Sequence, residues 1–91
     1  MSNIAMCVKL FQKMEDAHQH DVEAAKAGVN EMKQVEGQSD GEFAAAKEKQ
    51  MAQVDMMDFQ GRMQLEQQLI SAMSTVISKE GQTGDKIIGN F

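Results

Sequence analysis

The chain has 91 residues, so one domain is the upper limit, and a chain of this length buries only about 60–65% of the surface that its unfolded form exposes. It contains no proline, tryptophan or tyrosine, but nine methionines carry much of its apolar content and suit surfaces that repack against several neighbours. The formal net charge of −5 excludes a long-range attraction to nucleic acid or to anionic lipid, so no nucleic-acid partner is expected.

The sequence near the amino terminus does not have the pattern of a cleaved signal peptide, because Lys9, Lys13 and Glu15 interrupt its apolar stretch. If the protein leaves the cell, we expect another route to carry it. The longest segment without charge spans residues 67–78, which is shorter than the roughly 20 residues needed to cross a bilayer. We therefore expect no membrane span. The single Cys7 has no internal disulfide partner, and its expected role is that of a small buried apolar side chain.

A first helix is predicted over residues 4–35, where Gly28 is the strongest local interruption. Apolar residues recur there at close to helical spacing, which predicts one side that packs against a partner. These residues are Ile4, Val8, Phe11, Met14, Val22, Ala25, Val29 and Met32.

A turn is predicted over residues 36–41, because glycine, serine and aspartate there favour turn and capping conformations over a continued helix. Ser39 or Asp40 is the expected N-cap of a second helix. Ser39 and Glu42 also have the spacing of a capping box.

The second helix is predicted over residues 42–79, and a tail with three glycines follows over residues 80–91. Gly61 is the weak point of this helix and costs about 1 kcal/mol relative to alanine. Either a neighbouring group approaches closely at this position, or the glycine is a tolerated defect.

The second helix has two apolar stripes, whereas an ordinary surface helix has one. One stripe contains Phe43, Ala46, Val54, Met57, Leu65, Leu69, Ala72 and Val76. The other contains Ala52, Met56, Phe59, Met63, Ile70, Met73 and Ile77. The first helix can cover one stripe, but the other would face water in a monomer, as do the apolar patches that mark interaction surfaces. The sequence therefore predicts an all-α fold, a two-helix hairpin that assembles into a helical polymer.

This pattern assigns apolar residues to two kinds of contact. The residues expected to pack within the hairpin are Phe11, Met14, Val22, Val29, Phe43, Val54 and Met57. Those expected at the interface between copies are Phe59, Met63, Leu69, Ile70, Met73, Val76, Ile77, Ile87, Ile88 and Phe91.

Candidate ligands for a metal occur around His18 and His20, with Glu15 and Asp21 nearby. Residues two apart on a helix point in different directions, so only His18 and Asp21 have a usable spacing. We interpret these side chains as solvated helix-surface residues. No motif for catalysis or for a cofactor is visible, and the sequence predicts neither a metal site nor an enzyme.

The layout of the chain resembles that of the needle proteins of bacterial type III secretion systems and, more loosely, that of their inner-rod subunits. The polar turn at residues 38–42 and the Gln- and Met-containing segment 49–53 occupy the places of the family's turn and helix opening, without the usual turn proline. The apolar segment 69–79 is similar to the end of the family's second helix, although it lacks the usual Lys-Asp pair. Residues 87–91 are similar to an Ile-Ile-x-Asn-Phe ending.

The resemblance implies copies stacked in a helical tube around a narrow channel, with the carboxy-terminal helix inside the tube wall. It also implies secretion through the machine's own channel, a location at the bacterial cell surface or in the secretion apparatus, and no cofactor. The partners implied are further copies of the chain, other secretion-apparatus proteins and cytosolic chaperones.

Two functions are compatible with these features. The first is a structural subunit of an open helical polymer, a needle or inner rod that forms the conduit for exported proteins. The alternative is a small acidic secretion chaperone or adaptor that acts as a dimer or heterodimer. Two distinct apolar stripes favour the first, but one extra stripe would also satisfy the second.

Overall fold

The computed structural model describes residues 2–80 and confirms the predicted all-α, two-helix hairpin. Helix α1 spans Asn3–Asn30, and helix α2 spans Asp40–Glu80 and runs back antiparallel along it. The molecule is a rod of 68 × 18 × 13 Å. The predicted interface residues of the tail, Ile87, Ile88 and Phe91, lie outside the described residues.

Both helices begin at a serine whose hydroxyl accepts a backbone hydrogen bond, because the first N–H groups of a helix have no partner inside it. Ser2 Oγ accepts from the Ala5 N–H at 3.1 Å. Ser39 Oγ accepts from the Glu42 N–H at 3.1 Å and donates to Glu42 Oε1 at 3.0 Å. Ser39 is therefore the N-cap of α2. The Ser39 half of the predicted capping box is confirmed, whereas the Glu42 carboxylate accepts from the Ser39 hydroxyl and not from its backbone N–H.

Helix α1 ends at Asn30, before the predicted end at residue 35. The Glu31 N–H still donates to the Ala27 carbonyl at 3.0 Å, as befits a C-cap residue. Residues 31–39 then connect the helices, so the connection is longer than the predicted turn over residues 36–41.

Hydrogen bonds within the connection explain why the helix stops early. The Val35 N–H donates to Gln38 Oε1 at 3.2 Å, and the Gln38 N–H donates back to the Val35 carbonyl at 3.1 Å. Gln34 Nε2 donates to the Gln38 carbonyl at 2.6 Å and to Asp40 Oδ1 at 3.0 Å. Gly37, with φ +83°, takes the left-handed conformation that this turn requires. These bonds replace those that a continued helix would have made.

The core lies along the line where the two helices meet. Ile4 and Val22 are almost fully buried, and Phe11 is 7% exposed. Val22, Val29 and Val54 form one cluster across the two helices. The side chains packed against this cluster are Ala25, Met32 and Met51.

Most residues that were predicted to pack within the hairpin lie toward the helix contact. Phe11, Val22, Val29 and Val54 are buried, whereas Met14 and Phe43 are half-buried. Met57 differs, because 46% of it is exposed.

The spacing along α2 explains the position of Met57. The side of α2 that faces α1 passes through Val54, Asp58, Gly61 and Leu65, alternating steps of four and three residues as antiparallel helix pairs do. Met57 is one residue short of this line. Its side chain therefore points away from the contact, and Asp58 takes the inward position.

Candidate interaction surface

A row of exposed apolar side chains lies on α2. Phe59 is 60% exposed and Ile70 is 66% exposed, and Met56, Met63 and Ile77 are all more than 40% exposed. Met63 follows the buried Val54 by about two and a half helical turns, which places it on the side of α2 opposite α1. We call this row the α2 outer stripe: Ala52, Met56, Phe59, Met63, Ile70 and Ile77.

The predicted interface residues divide between the two sides of α2. Phe59, Met63, Ile70 and Ile77 are exposed and belong to the α2 outer stripe. Leu69, Met73 and Val76 are half-buried. Leu69 and Val76 follow Val54 at spacings close to whole helical turns, so they lie on the side of α2 that faces α1.

Helix α1 also has an exposed row, which the sequence prediction missed. Met6 and Leu10 are each more than half exposed and line a shallow depression with Lys9 and Lys13. Small exposed residues continue this row toward the connection. We call it the α1 outer stripe: Met6, Leu10, Lys13, Ala17, His20, Ala24 and Ala27. The alternating spacing of four and three residues could have revealed this row in the sequence. The row was missed because its alanines and its lysine make it only weakly hydrophobic.

A polar contact ties the two helices together near the middle of the rod. His18 Nε2 lies 3.0 Å from Asp58 Oδ1 and 3.3 Å from the Asp58 carbonyl oxygen. Both of these oxygens are acceptors, so the proton resides on Nε2, which donates. The two side chains are only 19% and 21% exposed. His18 is therefore not the solvated surface residue that its sequence context predicted.

Arg62 extends the contact along both helices. Its Nε donates to Asp58 Oδ1 at 3.0 Å, and its Nη2 donates to Gln19 Oε1 at 3.0 Å. Gln19 Nε2 in turn donates to Glu23 Oε1 at 3.4 Å. These hydrogen bonds link α1 and α2 at two neighbouring points. They therefore fix the axial position of one helix relative to the other.

The surroundings of Asp58 lower the pKa of its carboxyl below the ordinary value. Desolvation at the helix contact is the largest single influence and raises this pKa. The hydrogen bonds from Arg62 and His18, together with their charges, act in the opposite direction and outweigh it. Asp58 is therefore ionised at neutral pH and forms a salt bridge with Arg62.

Gly61 lies beside the same contact, one turn after Asp58. A Cβ at this position would overlap the His18 ring, lying 2.9 Å from Nδ1 and 3.0 Å from Nε2 and closest to Cε1. Close approach by His18 therefore accounts for the glycine that interrupts α2. A Cβ at Gly28 of α1, by contrast, would meet nothing within 4 Å.

Comparison of the chain with models of protein families, with curated proteins and with solved structures gives no match in any of the three. Within residues 2–80, neither helix combines the length and the hydropathy that crossing a membrane requires. The same residues contain no group of three or more His, Cys, Asp or Glu side chains placed to hold a metal ion. Cys7 carries a free thiol and is half-buried.

An open groove of about 310 Å³ lies beside the polar contact. Its lining residues are Glu15, Asp16, His18, Gln19, Arg62, Leu65 and Glu66. Within this groove, the proton on His18 Nε2 is already held by Asp58, and the ring fills the space above Gly61. The arrangement is thus suited to joining two helices. The two outer stripes remain open to a partner.

Proposed function

We propose that this chain is a structural subunit that assembles with copies of itself into an open helical polymer. The observation that carries the proposal is the α2 outer stripe, an exposed apolar row on the side of α2 that α1 does not cover. Clustered exposed apolar side chains of this kind mark interaction sites in proteins. Burying it against another chain removes apolar area from water and stabilises the contact by roughly 25 cal/mol per Å² before the costs of association.

The presence of two different exposed rows favours an open assembly over a closed dimer. The α1 outer stripe and the α2 outer stripe lie on different helices and differ in side-chain size and charge. When one surface of a molecule binds a different surface of the next, growth continues unless the rotation between copies closes a ring. A helical filament is the general result.

Within this class, we propose a needle or inner-rod subunit of a bacterial type III secretion system, which forms the conduit for exported proteins. The support is the resemblance at residues 38–42, 49–53, 69–79 and 87–91, together with the hairpin architecture that the resemblance implies. In this role the protein is exported without a cleaved signal and lies at the cell surface or in the secretion apparatus. Its partners are its own copies, other apparatus proteins and cytosolic chaperones.

The role we propose is one of binding and not of catalysis. The most polar contact in the described hairpin uses His18, Asp58 and Arg62 to join the helices, and His18 Nε2 is already engaged as a donor. An assembly subunit needs such contacts to hold its shape, and it needs no cofactor.

A closed dimer with a partner helix is the second candidate, as expected for a small secretion chaperone or adaptor. One observation favours it: the α2 outer stripe is a single straight row that one amphipathic partner helix would cover. This reading leaves the α1 outer stripe without a role.

Light scattering across a concentration series, with negative-stain microscopy of the same samples, tests the proposal. An open polymer gives particle sizes that grow with concentration above a threshold, and filaments on the grid. A particle of constant size, twice the mass of the chain, indicates the dimer. A stable monomer at high concentration contradicts the open polymer and the homodimer.

A further inference from the structure

We infer that the surface that covers the α2 outer stripe is the α1 outer stripe of a second copy, packed antiparallel with Lys13 opposite Glu66. This inference rests on the proposed self-assembly and adds the identity of the two contacting faces and their alignment. Its basis is the pair of charged side chains, Lys13 and Glu66, that interrupt the two apolar rows, together with the sizes of the side chains next to them.

Each outer stripe is interrupted by one strongly charged position. In α2, the step between Met63 and Ile70 passes through Glu66, which is exposed. In α1, Lys13 occupies the position between Leu10 and Ala17 and is also exposed. Neither Lys13 nor Glu66 takes part in a salt bridge within residues 2–80. Both charges are therefore available to a second chain.

Placing these two interruptions opposite each other pairs opposite charges and aligns the apolar residues on both sides. The α1 row alternates steps of four and three residues, and the α2 row does so from Ala52 to Met63 and then repeats every seven residues, so two antiparallel helices stay in phase along the contact. On the amino-terminal side of Lys13, the large Leu10 meets Ile70. On the other side, the small Ala17 meets Met63.

The alignment continues toward the connecting loop. Ala24 falls opposite Met56, and His20 falls opposite Phe59, where two planar rings can stack. Ala27 falls opposite Ala52, where small side chains on both helices permit close approach. A large residue of α2 thus meets a small residue of α1 at two pairs, Met63 with Ala17 and Met56 with Ala24, which permits close packing there.

Charge favours this pairing over contact between two α2 outer stripes. Acidic residues lie along one edge of that stripe, at Glu48, Asp55 and Glu66, and two such edges would repel each other. The α1 outer stripe offers Lys9 and Lys13 at its amino-terminal part, whereas the exposed Asp16 and Glu23 flank its later turns, so the attraction is centred on Lys13. Opposite charges at a contact of this kind select the correct partner face and set its alignment.

Charge reversal tests the inference in the full chain. We expect Lys13→Glu and Glu66→Lys each to raise the threshold concentration for assembly at least about tenfold, and the double variant to recover most of the loss. Both residues are exposed, so the thermal unfolding of the hairpin should change little. Lys33→Glu and Glu36→Lys, which are exposed in the connecting loop, are matched controls with the same changes in net charge and should assemble like the parent chain.

A crosslinking measurement checks the alignment directly. In a Cys7→Ser background, Ala17→Cys combined with Met63→Cys places thiols on both outer stripes, and copper-phenanthroline oxidation should give a ladder of covalent oligomers. Either cysteine alone cannot extend beyond a dimer. Gln64→Cys in place of Met63→Cys turns the thiol about 100° around the helix, beyond disulfide reach, and should give no ladder.

The outcomes separate this inference from the proposed function. Recovery in the double charge variant together with the ladder supports the contact between Lys13 and Glu66. If the parent chain forms filaments but neither reversal weakens them and no ladder forms, this pairing is wrong and self-assembly stands. If the parent chain never assembles, both are wrong.

Discussion

The ring of His18 occupies the space in which a side chain at Gly61 would begin. A Cβ at position 61 would lie 2.9 Å from the ring Nδ1, well inside normal contact distance. Because the same ring donates to Asp58, it cannot turn aside without losing its hydrogen bond. The glycine and the histidine therefore depend on each other, although 43 positions of sequence separate them.

We expect Gly61→Ala to destabilise the hairpin even though alanine is the better helix former by about 1 kcal/mol. Overlap with His18 forces the ring or α2 to move, and such overpacking typically costs about 1–3 kcal/mol. Urea unfolding followed by circular dichroism measures the effect. Gly28→Ala is the matched control and should stabilise the chain by about 0.5–1 kcal/mol, because its Cβ would meet no neighbour.

A double-mutant cycle isolates the overlap. In a His18→Ala background, Gly61→Ala should no longer be destabilising, because the ring that it strikes is gone. An equal cost of Gly61→Ala in both backgrounds would show that the glycine is needed for another reason.

Because of Asp58, we expect the free energy of unfolding of the hairpin to change with pH in the acid range. The pKa of Asp58 in the folded hairpin lies below that of an unfolded aspartate, which is about 3.9. Its contribution to the free energy of unfolding is therefore complete above the unfolded pKa and is lost as the pH falls through the folded pKa. We therefore expect Asp58→Asn to be less stable than the parent chain at neutral pH, and the gap to shrink in acid.

Unfolding free energies of the two proteins at a series of pH values test this expectation. Asp55→Asn removes the same charge from an exposed position of the same helix and serves as the control. A gap between the parent and Asp58→Asn that stays constant down to pH values below the native pKa would contradict the assignment.

A charge placed in the α2 outer stripe should prevent assembly. Ile70 is 66% exposed in the single hairpin, so Ile70→Asp should leave the helical circular dichroism signal largely intact. In an assembly the same carboxylate would be buried without a partner, which costs several kcal/mol. We expect no filaments by microscopy and a sedimentation coefficient of one hairpin.

Met73→Asp should also weaken assembly, as predicted from the sequence, but Met73 is half-buried, so some loss of hairpin stability is expected as well. Gln64→Asp adds the same charge to an exposed position off the stripe and should assemble normally. Normal filaments from Ile70→Asp would remove the α2 outer stripe from the interface.

The N-cap of α2 should contribute measurably to stability. Ser39→Ala removes the hydroxyl that accepts from the Glu42 N–H and should cost about 1 kcal/mol in the free energy of unfolding. Ser71→Ala, an exposed change within the same helix, should be neutral or slightly stabilising, because alanine is the better helix former. Hydrogen exchange at the first turn of α2 should accelerate only in Ser39→Ala.

Much of the fold follows from local sequence. Helical spacing of apolar residues identified both helices, and the pair Ser39 and Glu42 identified the start of α2, because a cap depends on residues that are neighbours in the chain. The early end of α1 was not predictable in this way. It depends on Gln34 and Gln38, whose side chains bond to the loop backbone only after the loop has turned.

Contacts between the helices were less accessible to sequence reasoning. The hydrogen bond of His18 with Asp58 joins residues 40 positions apart, and neither residue is apolar. Gly61 was the one local clue, since it indicated that something approaches α2 closely. Met57 was misplaced because the inward line of α2 passes through Asp58, a charged residue that an apolar pattern does not include.

In the proposed filament, the contact of His18 with Gly61 and Asp58 would also determine how regular the assembly is. It fixes how far one helix stands along the other, and hence the axial offset between the two outer stripes of each copy. A hairpin that slipped by a single turn would shift one stripe by about 5.4 Å. In a filament built through both stripes, that error would recur at every added copy, so the half-buried imidazole of His18 would set the constancy of the repeat.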